Sequence, residues 1–212
     1  MEEILPGIWH WTVRHPRIGI DVSGHWLDEG GVAIDPLLPD DGLEFFRSRP
    51  QPPAAVLLSN RHHYRHAGAL ADAFGARILC SRPGMHEFED EQGVEPFDFG
   101  DALPGGVTAF EVGAICPDET AFHIPSARAL LLADGIVDGG LHGAEHGLGF
   151  VSDKLMDDPQ ETKAGILAAA RRALDELEFD HLLMAHGLPV IGDGRERLQA
   201  FVDSGGRTAF DV

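Results

Sequence analysis

Lysine is nearly absent from this 212-residue chain: Lys154 and Lys163 are the only two. Basic charge is therefore almost all arginine, and there is little of it. Sixteen Lys and Arg stand against 35 Asp and Glu, for a formal net charge of -19. Such a surface repels both the nucleic-acid backbone and an anionic membrane, which sets both aside as partners. Cysteine is scarce too. Cys80 and Cys116 cannot build a disulfide scaffold, and they read as two reduced thiols in a cytoplasmic protein. No stretch approaches the ~20 apolar residues of a membrane span. The start of the chain, Met1-Glu2-Glu3-Ile4-Leu5, has no basic segment before an apolar run, so no secretory leader is expected. A P-loop, a dinucleotide fingerprint, Cys-x-x-Cys and Gly-x-Ser-x-Gly are all missing.

What is present is 43% hydrophobic residues, enough for a sizeable core in one domain over residues 1–212, with a frayed tail from about 205 to 212. Short β-branched and aromatic runs bounded by Gly, Pro or Asp predict strands over 8–13, 19–27 and 31–36. The continuous apolar run 54–59 predicts a strand buried on both faces. A helix over 66–74, stopped by Gly75, and a strand over 77–80 complete a β-α-β unit. A short helix is expected over 83–89, and further strands over 107–112, 128–133 and 180–185. The strongest helix signal follows Asp158, where an N-cap and Pro159 precede apolar residues at helical spacing (Ile166, Leu167, Ala170, Leu174, Leu177). A last helix is expected over 195–202. This order suits an α/β sandwich with helices outside two sheets.

The segment Ser59-Asn60-Arg61-His62-His63-Tyr64-Arg65-His66-Ala67-Gly68 holds three histidines within five residues, directly after a buried strand. The carboxyl ends of strands are where α/β proteins build their sites, and imidazole with carboxylate suits zinc and iron. Cys116-Pro117-Asp118-Glu119-Thr120, the strand ending in Asp134, and Leu183-Met184-Ala185-His186-Gly187 follow in order. His142 and His146 lie in a glycine-rich stretch after Asp134 and read as loop histidines bordering the pocket or facing solvent.

Taken together, these segments resemble the metallo-β-lactamase superfamily, whose His-x-His-x-Asp-His pattern falls on Arg61, His63, Arg65 and His66. The first histidine and the aspartate are thus replaced by arginines, which cannot ligate a metal. Glu119 falls on the family's third histidine, Asp134 on its bridging aspartate and His186 on its last histidine. The resemblance implies a four-layer αβ/βα sandwich of the metallo-β-lactamase type. It also implies one divalent ion, Zn or Fe, near His66, Asp134 and His186, with His63 and Glu119 as nearby ligands or as groups that support the ligands. His62 is the alternative ligand if the loop is shifted by one residue.

Two functions follow. In the first, the chain is a metal-dependent hydrolase of a small-molecule ester, thioester, amide or phosphodiester. A metal-activated water would attack, Glu119 would ligate or take the proton, and Arg61 or Arg65 would hold an oxyanion or an anionic substrate. In the second, no metal binds: Arg61 and Arg65 pair with Glu119 and Asp134, and the chain acts by binding a ligand or partner. Nothing specifies an interface, so a homodimer stays open.

Overall fold

The computed structural model describes residues 1–138 and 147–206. Seven strands form one sheet in chain order: β1 (Glu2–Leu5), β2 (Ile8–Arg14), β3 (Asp21–Leu27), β4 (Val32–Ile34), β5 (Ala55–Leu58), β6 (Arg77–Ser81) and β7 (Val94–Phe97). The first four are antiparallel, and β4 through β7 are parallel. Helices α1 (Gly42–Arg47) and α2 (Ala67–Phe74) lie in the crossovers on either side of β5, as parallel pairing demands. Five more strands form the second sheet: β8 (Ala102–Leu103), β9 (Val107–Glu111), β10 (Thr120–Ile124), β11 (Ala129–Leu132) and, after the small hairpin β12 (Ile136–Asp138) and β13 (Leu148–Phe150), β14 (His181–Met184). β11 and β14 are parallel, and the rest of that sheet is antiparallel. Helices α3 (Pro159–Glu176) and α4 (Gly194–Asp203) flank β14 in the chain.

Strand alternation assigns the layers. Leu57 packs between the sheets, while its neighbours Val56 and Leu58 face Ala67 and Leu70 of α2. In the second sheet Leu131 and Leu183 face inward, while Leu130, Leu132, Leu182 and Met184 meet Ile166 and Ala170 of α3 and Leu198 of α4. The buried residues thus form three clusters, one for each space in a helix–sheet–sheet–helix stack.

The sequence signals set the element ends. Asp158 caps α3 by accepting from the amides of Gln160 and Glu161, with Pro159 in the first turn. Gly75 closes α2 at φ +73°. The helix expected over 83–89 is instead a 3-10 stretch, Arg82–Glu87. Gly205 and Gly206 do not fray. The Gly206 amide donates to Phe201 O at 2.8 Å, and an added Cβ there would meet the Phe150 ring. Residues 207–212, His142 and His146 lie outside the described residues.

His10 and His25 pair across β2 and β3 on the face whose neighbours Ile8 and Leu27 join the inter-sheet cluster. Both are buried. His10 Nε2 lies 3.1 Å from Ser23 Oγ, while neither ring nitrogen of His25 has a hydrogen-bond partner among the described residues. Burial, then the N-terminal charge, lowers His10 to about 4, and burial holds His25 well below its ordinary value. The unfolded chain therefore takes up these protons first. The penalty these two rings impose is absent above pH 6.5 and grows as pH drops, to roughly 3 kcal/mol at pH 4 from His10 alone. Urea unfolding at stepped pH should show this slope, and His10→Gln should flatten it.

Candidate metal centre

The centre is assembled by strand register. Leu132 of β11 pairs in parallel with Met184 of β14, and the chain continues two residues beyond each to Asp134 and His186. The two side chains therefore emerge side by side from one edge of the second sheet. On the first sheet, Ile34 of β4 pairs with Leu57 of β5. Asp35 follows Ile34 directly. His63 follows β5 through Ser59, Asn60 and a 3-10 turn, Arg61–His63, whose Asn60 cap accepts from the His62 amide. Four side chains thus meet beyond the carboxyl ends of two parallel strand pairs, one in each sheet.

His63 is the link between the sheets. Its Nδ1 lies 3.0 Å from Asp35 Oδ2 and 2.9 Å from Ser59 Oγ. Its Nε2 comes within 3.1 Å of Asp134 Oδ1, and His186 Nε2 reaches the same oxygen at 3.0 Å. Neither approach has hydrogen-bond alignment: Oδ1 is buried and accepts no hydrogen bond among the described residues. The other Asp134 oxygen accepts from Asn60 Nδ2 at 2.9 Å, which fixes the carboxylate plane.

The charges reinforce one another. Burial opposes the ionised form of Asp134, but the adjacent His63 and His186 rings outweigh it and hold its carboxyl well below the ordinary value. Asp35 is lowered likewise, against its burial, by His63, Arg65 and Ser59. For His63, burial and the Arg65 cation act downward, yet Asp134 and Asp35 prevail and raise it to about 9.

The donor set fits a divalent ion. His63, Asp134 and His186 each offer an atom, all within 4.8 Å of one another. Two imidazoles and a carboxylate suit zinc or iron and leave positions open for water. The Asp35 carboxylate behind His63 is the partner that orients a ligating imidazole and fixes its tautomer. The orphaned Oδ1 is the further indication, since a buried carboxylate oxygen otherwise finds a donor.

Other residues expected at the centre are elsewhere. His66 is exposed at the N-terminus of α2, and its Nδ1 accepts from the Leu38 amide at 3.0 Å, so it is not one of the clustered ligands. His62 is exposed and lies outside the cluster, which contains His63 instead. Glu119 is buried away from the ion position. Its carboxylate accepts from the amides of Ile115 (3.0 Å), Ala114 (3.3 Å) and Gly135 (2.9 Å), a set of donors that side-chain alignment with the family cannot reveal. Burial raises it to about 7. The expected pairing of Arg61 and Arg65 with Glu119 and Asp134 is not formed. Arg61 instead makes an ion pair and a backbone hydrogen bond with the fully buried Asp118. Arg65, at φ +40°, donates from Nη1 to the carbonyls of Ser23 (2.9 Å) and Asp35 (2.7 Å). Burial pushes both thiols up, Cys80 to about 12, which disfavours the thiolate at either position.

Asp35, Asn60 and Asp118 were not singled out from the sequence. An acid ending a strand before proline looks like any turn residue, and only the fold brings Asp35 to His63. Asp35→Asn should weaken zinc binding about 10- to 100-fold with the fold intact, read by competition with a chromogenic chelator.

No family model matches the sequence, and no curated protein sequence matches it. Solved structures do. A metallo-β-lactamase from Erythrobacter litoralis superimposes with a TM-score of 0.68 at 14% identity, over 96% of this chain and 95% of that one. TTHA1623, solved in a di-iron-bound form, gives 0.65 at 18% identity over 89% and 98%. The flavodiiron core of Flv1 from Synechocystis gives 0.70 at 16% identity over 95% of this chain, which spans 59% of that one. Layers, strand order and these superpositions agree: this chain has the metallo-β-lactamase fold.

Proposed function

We propose that the protein is a metal-dependent hydrolase with a single Zn or Fe ion held by His63, Asp134 and His186. The observation that carries this reading is the convergence of three ligand atoms on one point, with Asp134 Oδ1 left without a donor. An ion bound there would lower the pKa of its water to about 7 and polarise a carbonyl or phosphoryl oxygen.

The chain's own residues supply the rest. Asp35 and Ser59 hold the His63 ring, and Asn60 holds Asp134, so the ligands are placed before any ion arrives. Arg65, fixed by two carbonyls at the cleft wall, presents a cation to developing negative charge. Glu119 does not line that cleft, so it is assigned neither ligation nor proton transfer. Its place is structural, tying the 114–115 backbone to Gly135 beside Asp134.

A second reading is favoured by the position of His63. A protonated ring between Asp35 and Asp134 is a closed charge network without metal, as in a protein that only binds ligands. Elemental analysis of protein purified without tag or chelator decides between them. About one zinc or iron per chain is expected. No ion, even after incubation with both metals, would leave the ligand-binding reading.

A further inference from the structure

A cleft of about 500 Å³ opens beside the three ligands. Its lining is unlike the rest of the molecule. In a chain of net charge -19, Arg17, Arg61 and Arg65 all face it, together with His15 and His62. The acidic side chains among its described lining residues are Glu87 and Asp134. Arg61 is neutralised by Asp118; Arg65 makes no ion pair among the described residues, although Asp35 and Asp134 lie close enough to interact with its charge. Arg65 is anchored through neutral carbonyls, and Arg17 makes no ion pair among the described residues. The turn carrying Arg17 is itself built: the His15 ring accepts from the amides of Arg17 and Ile18 at 3.3 and 3.4 Å.

A second feature lies at the same place. Ile18 and Leu155 are large apolar side chains about 60% exposed, and both line this cleft, near Phe88. Exposed apolar surface beside unpaired cations describes a ligand with two ends.

We propose that the cleft binds a small organic anion, a carboxylate or phosphate head on an apolar body, with Arg65 and Arg17 holding the head and Ile18 and Leu155 the body. As a substrate class this rests on the hydrolase reading. As a binding site it stands on the arginines and the exposed apolar pair, with no ion needed. Guanidinium matches either oxyanion through paired donors. The acidic exterior makes the cleft the favourable landing place for an anion.

The test uses the full chain after removal of metal with a chelator, so that an ion cannot itself bind the anion. Calorimetric titration with phenyl phosphate, benzoate and inorganic phosphate at low salt should give saturable binding of at least one aryl anion. That binding should weaken as sodium chloride is added. The preferred aryl head group identifies phosphate or carboxylate as the source. Arg17→Ala, at an exposed position, should weaken binding about 10-fold, and Arg65→Met at least as much. Arg47→Ala, paired with Glu44 on the exposed α1, should change nothing. Should Arg65→Met fail to fold, Arg17→Ala decides. Absence of saturable binding, equal affinity in Arg17→Ala, or inorganic phosphate binding as tightly as phenyl phosphate would overturn the proposal. Zinc titration of the same sample separates the two readings. Zinc binding without anion binding sinks this site and leaves the hydrolase, while anion binding without zinc does the reverse.

Discussion

His186→Ala should leave the purified protein with less than a tenth of an ion per chain and no metal-dependent turnover. The reason is the small donor set. With three protein ligands, loss of one leaves an imidazole and a carboxylate, and two such donors hold zinc far more weakly than three. The affinity loss should exceed about 100-fold, and the barrier to water attack should rise with the loss of the ion. His186 sits just beyond β14 and packs no core cluster, so the variant should unfold close to the parent's midpoint. His66→Ala is the matched control. The superfamily pattern makes it a ligand, but its ring faces Leu38, so its metal content should equal the parent's. Unchanged metal in His186→Ala, or loss of metal in His66→Ala, would sink the ligand assignment.

Asp118→Ala should be the most destabilising single change at this end of the molecule. Asp118 is fully buried, and its carboxylate receives both the backbone amide and the guanidinium of Arg61. Truncation strands a mostly buried cation, an effect of about 3–5 kcal/mol. In a chain of this size that is a fall in melting temperature of roughly 10 °C. Arg61→Leu with Asp118→Leu removes both charges and should recover most of the loss. A double variant no more stable than Asp118→Ala would show that the ion pair is not what Asp118 supplies. Folded Asp118→Ala should still bind zinc, because neither partner belongs to the ligand cluster.

The fold was largely legible because alternation is a property of the chain itself. Runs such as 55–58, 129–132 and 181–184 bury both faces, and the Asp158-Pro159 start and Gly75 stop mark helix ends by local chemistry. Less visible were β1 and β7, whose alternation is interrupted by Glu and Pro, and the brief helix α1. The site was half legible. His63, Asp134 and His186, which the structure brings together, each follow a strand that the sequence marks. His66 and Glu119 were misplaced for a different reason. Pattern alignment locates a residue along the chain but does not aim its side chain. The 3-10 turn and the positive φ of Arg65 swing His66 onto the helix end, and three backbone amides draw Glu119 away. Asp118 offers no signal that distinguishes it from a loop acid. Its role depends on Arg61 standing where the superfamily has a histidine.

The parallel pairing of Leu132 with Met184 ties the fate of the site to that of the sheet. Asp134 and His186 are not brought together by a loop that opens and closes by itself. They stay adjacent as long as the β11–β14 ladder, the outermost of the second sheet, persists. Amide hydrogen exchange along the β11–β14 ladder is therefore expected to report directly on the separation of the two ligands, with or without an ion. The pair is a lasting property of the folded state, set by the sheet and separate from the segment that carries Arg61, His63 and Arg65.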